Sequence, residues 1–120
     1  MLDNITRALP ALLRAQKIQK KAAKTGFEWQ NTEQALDKFN EELQEFQEAE
    51  TDVDKEEEFG DMLFALVNYG RMNGIHTEEA LRKANEKFIN RFQKMEKVTD
   101  LKSLSLDKML KAWQEAKKSA

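Results

Sequence analysis

The stretch EELQEFQEAETDVDKEEEFGDMLFALVN, residues 41–68, opens as an acidic tract and closes in one of the most apolar runs of the chain. Its first half continues a pattern that begins upstream: Leu36, Phe39, Leu43 and Phe46 recur at helical spacing and share one stripe to about Glu50. TDVD then interrupts the pattern. Beyond it, Phe59 and the run Met62 to Val67 cover almost the whole circumference of a second helix at about 100° per residue, so the sequence predicts a helix enclosed on all sides. Asp61 lies directly against that run. A charge on a buried helix is costly unless something pairs with it, and Asp61 therefore calls for a partner.

Working outward, apolar residues keep helical spacing almost throughout, and no segment alternates strictly with period two. The expected fold is all-α, about five helices in a bundle. A first helix runs from Pro10 to about Lys24 and ends at Gly26. GFEWQN is a loop, Asn31 caps the second helix with Gln34 three residues on, and Asp54 is the expected cap of the third, which stops at Gly74. Thr77 is the expected cap of a fourth helix carrying Leu81, Ala84, Phe88, Phe92 and Met95 on one face. A fifth begins near Ser105 with Leu106, Met109, Leu110 and Trp113. A chain of 120 residues covers an all-round apolar helix poorly by itself, which predicts a homodimer or higher homo-oligomer.

Composition bounds the chemistry. The chain is 40% hydrophobic and 35% charged with one Pro, four Gly and no Cys, as expected of one helical domain spanning residues 1–120. The lack of cysteine excludes disulfides, thiolate metal sites and a cysteine nucleophile. The longest apolar run, Met62 to Val67, falls far short of the roughly 20 residues of a membrane span, and the N-terminal stretch has no signal-peptide core; the expectation is a cytoplasmic protein with no membrane partner. A net charge of -2 argues against bulk nucleic-acid binding.

On the second helix Lys38, Glu41, Glu42 and Glu45 fall within roughly a 100° arc beside the apolar stripe. Glu58 and Asp61 are neighbours on the third. Together they spell E-E-x-x-E, twelve residues, E-x-x-D. If the two helices pack antiparallel through TDVD, Glu42 and Glu45 come opposite Glu58 and Asp61, and such crowding is tolerable only with cations or protons present. A solvated charge run explains Glu48, Glu50, Glu56 and Glu57, but not an acid set into an apolar helix. Hard oxygen ligands suit Mg²⁺ or Mn²⁺ rather than zinc. A di-iron site of the ferritin type wants E-x-x-H, whereas the one histidine, His76, lies in a turn. On the fourth helix Lys83, Lys87, Arg91 and Lys94 share a flank, with Lys87 and Arg91 nearest the apolar stripe, a natural place for phosphate oxygens. Asn68 and Asn85 are polar positions on packed faces, open to either a site role or a core amide role.

EELQEFQEA, EEEFGDMLFALVN and ALRKANEKFINRF together resemble the MazG nucleoside triphosphate pyrophosphohydrolases of the all-α NTP pyrophosphatase superfamily. RALPALLRAQKIQKKAAKTGFEW and SLDKMLKAWQEAK are similar to the start and the last helix of the second, catalytic domain of tandem members, so the resemblance spans nearly the whole chain. It implies Mg²⁺ bound through the E-E-x-x-E and E-x-x-D acids, with Glu42, Glu45, Glu58 and Asp61 as direct ligands; Glu41 is the candidate proton acceptor or, alternatively, a ligand through water. It also implies triphosphate contacts from Lys38, Lys87 and Arg91, and aromatic contacts near the nucleotide from Trp113 and Trp29. The family pattern GFDW is here GFEW, which leaves base recognition open. The implied reaction is hydrolysis of NTP or dNTP to the monophosphate and pyrophosphate, in nucleotide-pool house-cleaning or regulation. Related dUTPase-like or phosphoribosyl-ATP pyrophosphohydrolase activities, and a catalytically silent helical dimer acting as an interaction module, are the alternatives.

Overall fold

Two glycines set the ends of two helices. At Gly26 (φ 97°) the Phe27 amide donates to the Ala22 carbonyl at 3.3 Å and the Gly26 amide to Ala23 at 2.9 Å; at Gly74 (φ 77°) Ile75 and Gly74 repeat the pattern onto Gly70 and Arg71 at 2.9 and 3.0 Å. Both are Schellman closures, which need a left-handed residue where a side chain would be strained. The computed structural model describes residues 1–118. Its five helices are α1 (Ala11–Ala23), α2 (Thr32–Glu48), α3 (Asp52–Met72), α4 (Thr77–Val98) and α5 (Leu106–Lys118), with short 3₁₀ turns at Leu2–Asn4 and Leu101–Ser103 and no strand among the described residues. The all-α expectation holds. Among the described residues no helix is long and apolar enough to cross a membrane.

The starts of the helices follow local hydrogen bonding, with two departures from the sequence reading. Asn31 caps α2 as expected, its side chain accepting from the Gln34 amide at 2.9 Å while Gln34 Oε1 accepts from the Gln30 amide at 2.9 Å. The cap of α3 is Thr51 rather than Asp54: the Thr51 hydroxyl accepts from the Asp54 amide at 3.1 Å, which draws Asp52 to Asp54 into the first turn. There the two acids favour the positive end of the helix dipole. Thr77 does not cap α4 either. It is the first helical residue, and its amide and hydroxyl both donate to Gln16 Oε1 on α1, at 3.0 and 2.9 Å.

The described chain divides into a first compact unit, Met1–Ala80, and a second that starts at Leu81 within α4. In the first unit, α2 and α3 form an antiparallel hairpin through only three connecting residues. Phe46 and Phe59 meet edge to face across it at 5.3 Å, and the buried small residues Ala35 and Ala65 let the helices approach closely. The α1 helix packs on α3. In the second unit Phe88 stacks on Phe92 at 6.1 Å and lies 5.1 Å from Trp113 of α5.

The enclosed third helix is not found within one chain. Ala65 and Val67 are buried, but Phe59, Leu63, Phe64 and Leu66 stay 40–47% exposed. The reason is geometric: two helices, α1 and α2, pack against α3 within its unit, too few to cover a helix that is apolar all round.

Gly70 on α3 illustrates how tightly the start of α4 is held. A Cβ there would stand 2.9 Å from Thr77 Cγ2, and Thr77 cannot swing away without breaking its hydroxyl bond to Gln16. Gly to Ala in a helix ordinarily stabilises by up to about 1 kcal/mol. Here Gly70→Ala is expected to destabilise, by roughly 1–3 kcal/mol as overpacking does, and urea denaturation should show a lowered midpoint.

Candidate functional site

The α2–α3 hairpin turns sequence spacing into a cluster. Glu42 of α2 and Glu58 and Asp61 of α3 each bring a carboxylate oxygen to within 4.8 Å of the other two. Glu42 is only 6% exposed. Lys38, one turn before it, binds its Oε1 at 2.8 Å and reaches Glu41 at 3.8 Å. The bond to Glu42 raises the Lys38 ammonium above its ordinary pKa against the opposing loss of hydration, and the charges of Glu42, Glu41 and Glu45 add to the rise. One lysine does not balance the group. Glu58 is pushed above the usual carboxylate range, first by lost hydration, then by the charge and hydrogen bond of Glu45 and the charges of Asp61 and Glu42.

The acids expected from sequence are thus sorted. Glu42, Glu58 and Asp61 come together; Glu45 stands beside Glu58, outside the close group; Glu41 is exposed on α2. Asp61 is exposed rather than embedded, because the apolar faces around it are themselves uncovered. Its partner is the acid cluster, not a buried counter-charge. The Oε2 atoms of Glu42 and Glu58 are shielded from solvent and accept no hydrogen bond. Unpartnered carboxylate oxygens with no nitrogen or sulfur donor among them fit a hard divalent cation, and this group could hold one.

Beside the acids lies a cleft of about 600 Å³ between α1, α2, α3 and the loop before α2. Glu42, Asp61 and Lys38 line one part of it, and Phe64, Ala65 and Trp29 continue its wall to Asn68. Two residues that the sequence reading passed over, Gln19 and Arg71, shape the same place together with Glu28 of GFEW. Gln19, 6% exposed, donates Nε2 to the Phe64 carbonyl at 2.9 Å, leaving its Oε1 without a donor. Arg71 donates Nε and Nη2 to Asn68 Oδ1 at 3.3 and 2.9 Å and forms a close ion pair with Glu28. A glutamine on the packed side of α1 was the one available signal. The Arg71–Glu28 pair spans 43 residues and has none.

Lys87, Arg91 and Trp113 belong to the second unit. Within it the Arg91 guanidinium lies 5.7 Å from the centre of the Trp113 ring, in cation–π range, and Lys87 is exposed. Asn85 is also exposed, so the core-amide role that was open to it is not taken.

Compared with known proteins, residues 30–95 match the model of the MazG nucleotide pyrophosphohydrolase domain. The chain is 40% identical over 121 residues to the nucleoside triphosphate pyrophosphohydrolase/pyrophosphatase MazG of Thermotoga maritima and 43% identical over 127 residues to the nucleoside triphosphate pyrophosphohydrolase of Escherichia coli K12. These alignments take in 97% and 98% of this chain and 48% of either relative, so the chain spans about half the length of the curated relatives it matches. A shorter match, 46% over 67 residues, is to the uncharacterized protein YabN of Bacillus subtilis and covers 52% of the chain.

The raised pKa of Glu58 has a signed consequence for the metal-free protein. Between the ordinary and the raised value the folded chain holds a proton that the unfolded chain has released, so stability falls as pH rises through that window and the deficit is complete above it. Glu58→Gln removes the titration. Its melting temperature in chelator is expected to exceed that of the wild type near neutral pH, with the gap closing on acidification below the ordinary carboxylate value; melts at a series of pH values check it.

Proposed function

Because the chain belongs to the MazG nucleotide pyrophosphohydrolase family, we propose that it hydrolyses nucleoside triphosphates to the monophosphate and pyrophosphate, with Mg²⁺ or Mn²⁺ as cofactor, in the cytoplasmic nucleotide pool. One observation carries this reading: of three carboxylates grouped closely enough to hold a cation, two, Glu42 and Asp61, line a cleft together with Lys38, Trp29 and Phe64. Glu42, Glu58 and Asp61 would hold the metal, with Glu45 completing the set. When bound, it would neutralise the triphosphate and lower the pKa of the attacking water. Water attacks the α-phosphorus, the bond to the bridging oxygen breaks, and pyrophosphate leaves.

The chain's own groups divide the remaining work. Glu41 lies outside the three-acid group, so a ligand role does not consume its lone pairs; it is the proposed acceptor of the water proton. Lys38 holds Glu42 in place and offers a positive charge to a phosphate oxygen. By their positions in the family's motif, Lys87 and Arg91 are proposed to stabilise charge on the departing pyrophosphate. Trp113, which lies in cation–π range of Arg91, is proposed to meet the nucleotide on the same grounds. The apolar wall of Trp29 and Phe64 would receive the base.

Two tests bear on this. Glu42→Gln and Asp61→Asn are each expected to abolish pyrophosphate release from a panel of NTPs and dNTPs in Mg²⁺ while the helical circular dichroism persists. Wild-type rates in either variant would remove that residue from the metal set, and a wild-type protein silent on every nucleotide would favour the interaction-module reading. The exposed apolar residues of α3 further support a homo-oligomer, dimer or larger. The unfolding midpoint should then rise with protein concentration, because association stabilises only the folded state; a sedimenting monomer at micromolar concentration with a constant midpoint would contradict it.

A further inference from the structure

The cleft has a chemically defined far end, and its definition comes from α3 itself. Asp61, Phe64, Ala65 and Asn68 all line it, as residues three, four and seven apart on one helix must if they share a face. Seven residues of helix place Asn68 about 10 Å along the axis from Asp61. That is roughly the reach from an α-phosphate, across a ribose, to the edge of a base.

At that end the Asn68 carboxamide has a fixed sense. Arg71 supplies only donors, and it spends Nε and Nη2 on Asn68 Oδ1 at 3.3 and 2.9 Å. The amide oxygen is therefore occupied, and the NH₂ group is the part left for a guest. Arg71 is in turn clamped by Glu28, from the same loop as Trp29, with its side chain only 14% exposed. A flip of Asn68 would set its NH₂ against a guanidinium, so the clamp keeps a donor turned to the cleft.

We infer that Asn68 reads the nucleobase, donating its NH₂ to an acceptor on the base edge, and that Glu28 and Arg71 are positioning residues that hold it in that sense. This rests on the activity proposed above. The guest is a heterocycle with a carbonyl oxygen or unprotonated ring nitrogen facing Asn68. In GFEW the glutamate is thus the residue that ties the aromatic loop to the base-reading amide.

The experiment compares kcat/KM for the preferred nucleoside triphosphate with that for ribose 5-triphosphate, which has the phosphates and sugar but no base. Loss of one productive hydrogen bond to the base is expected to lower the ratio of the two by about tenfold in Asn68→Ala. Asn68→Asp keeps a partner for Arg71 but replaces the donor with an acceptor, so the ratio should fall at least as far and the ranking of bases should change. Glu28→Gln should lower the ratio by a smaller factor without removing Asn68. A ratio in both Asn68 variants within about threefold of wild type would overturn the inference, and any larger fall supports it. A wild-type protein that released no pyrophosphate would sink the activity instead. The affinity ratio of the α,β-methylene nucleotide over methylenebisphosphonate in Mg²⁺, read by calorimetry for wild type and Asn68→Asp, would then decide the role of Asn68 by the same threshold.

Discussion

The α2–α3 hairpin carries more negative charge than it can neutralise, and much of the first unit can be understood from that constraint. Glu42, Glu58 and Asp61 converge to within 4.8 Å, and Lys38 is the cation seen bound to one of them. The convergence is forced by local structure: a three-residue connection and the Phe46–Phe59 contact fix the register of the two helices, so residues thirteen to nineteen apart in sequence must face each other. Apolar packing across the hairpin holds the acids together against their mutual repulsion. Such stored repulsion is a common cost of a functional site, and a cation that binds the folded chain offsets it.

The same helix serves three demands with three faces. One face of α3 lines the cleft through Asp61, Phe64, Ala65 and Asn68. Another is buried at Val67, and a third leaves Phe59, Leu63 and Leu66 open. A helix cannot move one of these faces without moving the others, so a subunit seated on the open face would bear directly on the placement of the acids. Assembly and chemistry would then be coupled through rigid backbone rather than through a chain of side chains.

What the sequence made legible follows the range of the interaction responsible. The helices and the Asn31 cap depend on neighbours within four residues, and both were readable. The acid cluster was readable too, because the hairpin makes a medium-range pairing out of a short turn. Thr51 and Asp54 are both good caps three residues apart, and nothing local decides between them. The exposure of Asp61 depends on what covers α3, which an angular count around one helix does not contain. Gln19 and the Glu28–Arg71 pair act across 45 and 43 residues of chain. No periodic pattern records such contacts, and they are the ones that shape the far end of the cleft.

The stiffness of α3 also separates the two ends of the cleft functionally. The acids at its start are placed by the register of the hairpin, whereas Trp29 and Glu28 come from a loop held by the Gly26 closure and the ion pair to Arg71. A change in residues 26–30 can therefore reshape the apolar end without disturbing the carboxylates, which share no hydrogen bond with that loop among those described. Loops tolerate such variation better than helix registers do. One hairpin can then keep a single hydrolytic centre while the loop in front of it sets which guest is admitted.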